Sequence, residues 1–179
     1  GSLIIPMDTT AGRTNQRYGM WRAYGLVYRL LTEAIPVNWA IKSYKAYEEN
    51  DFTASQTTDI RTGAVYTNPS YNGGPFIIDA SNSVAARAII DAWNLGQPSN
   101  RIVQVHQYTG SGTFPAPIFR RMRAAPGIAI LNTPYGSSEP TTSTSYGGAF
   151  TYLNNAGIPD SRGLNWSSTS PDLLTIAQV

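Results

Sequence analysis

A hydroxyl nucleophile needs a neighbouring base to take its proton, and this chain offers one histidine for the task, His106, within IVQVHQY. The hydroxyl best placed by sequence is Ser81, in Asp79-Ala80-Ser81-Asn82-Ser83, which follows the apolar run of residues 75–78 and precedes a helical pattern. On a sharp strand-to-helix turn such a side chain stands exposed beside backbone N–H groups able to stabilise an oxyanion. Ser81, His106 and Asp79 are therefore the candidate catalytic residues. The glycines that usually flank a nucleophile on such a turn are missing, and Ser81, Asn82 and Ser83 are also the residue types that cap helix N-termini.

A second chemistry is acidic. Asp8 and Asp79 each follow an apolar run directly, and Asn132 ends another. Paired carboxylates at one rim hold Mg²⁺ or divide acid and base work between them, which makes Asp8 and Asp79 the candidate metal ligands. Asp8-Thr9-Thr10 lacks the second aspartate of the phosphotransfer motif with which it shares its position. Arg13 and Arg17 follow in the same loop, where guanidinium forks suit a carboxylate or phosphate. Asp8, Arg13, Arg17, Asp79 and Asn132 make up the candidate binding set. Neither GxGxxG nor GxxxxGK[ST] occurs, so no nucleotide and no other cofactor is expected. Arg120, Arg121 and Arg123 form a small basic patch, and Tyr44, Tyr47, Tyr66 and Tyr71 gather in one region where rings could stack on a sugar or a partner.

These residues need elements to hold them. Apolar runs predict strands at 3–7, 37–41, 75–79, 102–105 and 128–131, and 3.6-residue periodicity predicts helices from residue 20, over 84–93, over 115–125 and around 150–153. Strands alternating with helices predict a three-layer α/β sandwich, flavodoxin-like or Rossmann-like, around a mostly parallel sheet of five or more strands. Residues 42–74 interrupt that rhythm and predict an irregular insertion with short strands, including a hairpin about Arg61-Thr62-Gly63. In a sheet of order 2-1-3-4-5, the loops after the first and third strands would meet at one rim. Asp8, Asp79 and Ser81 would then be neighbours.

Composition limits the rest. The 179 residues fit one domain, and charged residues are only 13%, against about 25% in ordinary soluble domains. A polar but weakly charged surface points to an extracellular or cell-surface protein. A net charge of +2 is too small to steer nucleic acid, and no apolar run approaches the ~20 residues of a membrane span. The absence of cysteine excludes disulfides, thiolate metal sites and a cysteine nucleophile. Gly1-Ser2 reads as a tag remnant, so the chain is expected to be a single domain excised from a larger protein. Its partners would be other segments or copies of that parent.

The stretches LIIPMDTT, MWRAYGLVYRLL, VNWAIK and YNGGPFIIDAS together resemble an uncharacterised domain of large bacterial surface or secreted proteins. The order of elements resembles the class I glutamine amidotransferase-like sandwich. In that family a cysteine sits on the turn after the third strand, with a downstream His and Glu. Here Ser81 or Ala80 takes its place, and no His-x-Glu follows His106. The resemblance implies the fold and a non-catalytic relative: a structural, assembly or ligand-binding module. The alternative is a hydrolase using Ser81 with His106, or a metal held by Asp8 and Asp79.

Overall fold

Leu3, Ile4 and Ile5 form β1 (Leu3–Ile5), and all three side chains are buried. Successive strand residues point to opposite faces, so a strand buried throughout requires cover on both sides of its sheet. The computed structural model describes residues 1–8, 16–132 and 147–175, which fall into two compact units, Gly1–Ala125 and Pro126–Val179.

In the first unit β1 is followed by α1 (Gln16–Thr32), β2 (Val37–Ala40), β3 (Phe52–Thr53), β4 (Gln56–Asp59), β5 (Val65–Thr67), β6 (Ser70–Tyr71), β7 (Phe76–Ile78), α2 (Ser83–Asn94), β8 (His106–Tyr108) and β9 (Ile118–Met122). Seven strands make one sheet in the order β5-β4-β8-β1-β7-β2-β9, and every neighbouring pair is antiparallel. The expected mostly parallel, flavodoxin-like sandwich is therefore wrong. The reason is specific. β1 and β2, joined through α1, do run the same way, but β7 lies between them and pairs antiparallel with both. Likewise β7 and β8, joined through α2, run the same way with β1 between them. Periodicity reports which face of an element is buried, not which strand fills the gap a crossover leaves.

One face is covered by the helices. Leu3, Ile5, Val37, Phe76 and Ile78 pack there against Ala23, Leu26, Val27, Leu30 and Leu31 of α1 and Ala86 and Ile90 of α2. The spacing predicts an α1 stripe through Trp21, Tyr24, Val27, Tyr28 and Leu31; Val27 and Leu31 are buried, but the stripe continues through Ala23, Leu26 and Leu30 and leaves the rings of Trp21 and Tyr24 44% and 41% exposed. The other face holds Ile4, Ala40 and Ile77 under Phe52, Ala54 and Tyr71 of the insertion. β3 and β6 pair there, while β4 and β5 form the expected hairpin, with Gly63 at φ +74°.

Residues 115–125 do not form the expected helix. Pro115 and Pro117 remove two donors, and the residue before a proline is pushed out of the helical region. Ile118–Met122 pairs instead with β2 as the edge strand β9. The expected strand at 102–105 begins later, as β8. In the second unit β10 (Ile130–Asn132) pairs in parallel with β11 (Leu173–Thr175), and α3 (Gly147–Ala156) lies between them in the chain. Trp166 is buried in that unit, with its backbone bonded in both directions to the Asn154 amide.

Candidate functional site

Because β1 and β7 are antiparallel, with Leu3 opposite Ile78 and Ile5 opposite Phe76, their C-termini lie at opposite ends of the paired strands. Asp8, beyond the end of β1, sits beside the turn that precedes β7 and accepts the Asn72 N–H at 2.8 Å. Asp79, beyond the end of β7, accepts from the Asn38 amide at 2.9 Å and pairs with Arg121 at 3.3 Å. The shared rim expected for these two carboxylates does not exist. Among the described residues no group of three or more acids and histidines is placed to hold a metal.

Ser81 and His106 are also kept apart. Ser81 is exposed on a 3₁₀ turn (Ala80–Asn82) that feeds α2, on the helical side of the sheet. His106 lies opposite Ile4, so its fully buried ring points to the other side. No side chain caps that turn or α2, and the Ser83 hydroxyl donates to the Ala80 carbonyl instead. Arg13 lies outside the described residues. Arg17 is the second residue of α1 and Asn132 ends β10, and their side chains are likewise outside what is described.

What surrounds His106 is a polar cluster built by strand periodicity. Thr57 and Asp59 share a face of β4, and Asp59 lies opposite His106 of β8, two residues after Gln104. The Tyr71 hydroxyl lies 2.9 Å from His106 Nδ1 and 3.0 Å from Thr57 Oγ1, and the Tyr66 ring stacks on the imidazole at 4.8 Å. Asp59 closes the hairpin turn by accepting the Arg61 and Thr62 N–H groups, and its second oxygen accepts from Gln104 Nε2 at 2.9 Å. The Gln104 N–H in turn donates to Gln16 of α1 at 2.9 Å.

Asp59, Tyr66 and Gln104 form the polar wall of a cleft of about 350 Å³ whose apolar side is Ile90, Ile102 and Val103. At its mouth the Asn94 amide bonds the Val103 backbone both ways. His106 does not line the cleft, and Thr57, Tyr71 and His106 are sealed from solvent. A proton relay needs a substrate at one end, and these three side chains are all closed off from solvent. The hydrogen bonds of the cluster tie the hairpin, β8 and α1 together at the point where they meet.

Sequence reasoning singled out His106 but missed Asp59, Gln104 and the roles of Tyr66 and Tyr71. The alternation in QTTD and in VQVH was the available signal. It also missed Asp51, which is buried and accepts the N–H groups of Lys42 and Gly74, each at 2.9 Å, and the Lys45 ammonium at 2.8 Å. Of the four tyrosines, Tyr44 and Tyr47 are wholly exposed, Tyr66 is half-buried and Tyr71 is buried. The three arginines lie on and just after an exposed edge strand, not on a helix. Comparison with protein-family models, with curated proteins and with solved structures gives no match.

Proposed function

We propose that the chain is a non-enzymatic module of a larger extracytoplasmic or surface protein, acting in structure, assembly or ligand binding. The observation that carries this reading is where the reactive side chains direct their hydrogen bonds. Asp8, Asp51, Asp59 and Asp79 each accept from donors belonging to the fold, and His106 is enclosed by Tyr66 and Tyr71. A catalytic group must reach a substrate atom, and these reach the protein's own backbone and side chains. The low fraction of charged residues supports a place outside the cytoplasm.

The test is chemical. A fluorophosphonate probe is expected to leave the protein unlabelled, and Mg²⁺ is expected to leave the melting temperatures of wild type and Asp8→Asn alike. Labelling that vanishes in Ser81→Ala, or a Mg²⁺-dependent rise lost in Asp8→Asn, overturns the reading in favour of a hydrolase.

A further inference from the structure

β9 ends the seven-stranded sheet, and among the described residues no strand pairs with its outer edge. An outer strand presents a row of backbone donors and acceptors ready to pair with another chain. Two further features mark this one. Ile118 and Phe119 are each 47% exposed, and Phe119 continues a line of rings that passes through Trp39 and Phe76 to Tyr24, with centroids 5.8, 5.9 and 5.8 Å apart. Three arginines also follow in close order, with the Arg120 guanidinium lying over the Phe119 ring at 4.8 Å. Arg121 has Asp79 beside it, and among the described residues no carboxylate pairs with Arg120 or Arg123.

We infer that β9 is a docking edge for an extended acidic segment of a separate polypeptide, which adds to the sheet as an eighth strand. This rests on the reading of the chain as a binding or assembly module and names the class of partner. Strand addition supplies backbone hydrogen bonds along the edge, and side chains opposite the strand supply selectivity. Arg120 lies level with Trp39 and Arg121 with Asn38, so the arginines alternate between the two faces, and an added strand meets positive charge on both. A second copy is a poor occupant. Antiparallel self-pairing about the middle of β9 sets Arg120 against Arg120 of the second copy, and like charges directly opposite destabilise a strand pair. Arginines also serve to guard an edge against pairing, but a guard has no need of exposed Ile118 and Phe119 beside it.

The probe is an acetylated, amidated eight-residue peptide of alternating Glu and Thr, with a twin carrying Lys for Glu. The Glu peptide is expected to bind, to slow amide exchange over residues 118–123, and to weaken as NaCl rises from about 0.05 M to about 0.5 M. Its affinity should fall roughly tenfold in the double variant Arg120→Gln/Arg123→Gln, which removes one arginine from each face. Arg120→Glu/Arg123→Glu should prefer the Lys twin, and a urea midpoint for each variant shows whether the sheet is intact. If the reversed variant does not fold, the Gln variant and the salt dependence decide. Equal binding of both twins, binding without protection of β9, displacement by a single-stranded oligonucleotide, or no binding at all overturns the inference. Mass spectrometry of the probe separates the two readings: an intact, unbound peptide sinks only the docking edge, whereas a cleaved one sinks the non-enzymatic module.

Discussion

Asp51 shows how a single buried carboxylate can organise a loop. Its two oxygens gather the Lys42 and Gly74 N–H groups and the Lys45 ammonium, so the start and end of the 42–74 insertion are tied through one side chain. Asp51→Ala strands two backbone donors, and since each unsatisfied buried group costs about 1–3 kcal/mol, a loss of roughly 3 kcal/mol is expected in urea unfolding. Asp51→Asn, which keeps one acceptor, should fall between. Asp160 does comparable work in the second unit. Hydrogen bonds from the Arg162 guanidinium, working against burial and helped by the Leu164 N–H, the Ser170 hydroxyl and the Arg162 N–H, lower its carboxyl from 3.8 to about 2. A depressed carboxyl stabilises the fold above its unfolded value, so this contribution is whole above pH 3.8 and disappears as the pH falls through about 2. The indole N–H resonance of Trp166 should therefore lose its native position between those limits in wild type. In Asp160→Asn it should show no transition across that window.

At the scale of elements, the turn before β7 is the most exacting. Gly74 has φ +76°, and a Cβ there would meet Trp39 Nε1 at 2.7 Å, where the indole donates to the Gly74 carbonyl. Gly63 has a similar φ of +74° but open space around it. Gly63→Ala should cost about 1 kcal/mol for the backbone alone, and Gly74→Ala distinctly more, since the indole must also move. Urea midpoints of the two variants give the comparison directly. Much at this scale was legible in advance: α2, the β4–β5 hairpin and the buried runs of β1 and β7 all follow from period and turn residues. Residues 118–122 were not. Ile118, Phe119 and Met122 fit a helical face as well as a strand, and the deciding term is a vacant sheet edge beside β2, which no local pattern reports.

The same limit governs the whole molecule. Alternating strands and helices correctly implied crossovers, but in the first unit the crossovers through α1 and α2 each skip one position, and the strand that fills it comes from a distant part of the chain. The expected site failed with the expected direction of β7, since its acids depended on two parallel strands ending together. The polar cluster of Asp59, Gln104 and His106 could have been suspected from its period of two, but not assembled without knowing that β4 lies beside β8. Residues Gly1–Ala125 hold the complete seven-stranded sheet and both covering layers. Expressed alone, they are expected to unfold cooperatively in urea, with near-ultraviolet circular dichroism and tryptophan fluorescence changing together. Separate transitions would show that the layers do not form one cooperative unit.

The place of β1 in that sheet also has a consequence for biosynthesis. Its three residues precede every other element of the first unit in the chain, yet Ile4 lies opposite Ile77 on one side and His106 on the other. The middle of the sheet therefore cannot zip until most of the first unit has been translated, and the loops to be closed are long, which slows the search. Until then an apolar tripeptide waits unpaired on the nascent polypeptide, where a chaperone or a wrong neighbour can reach it first.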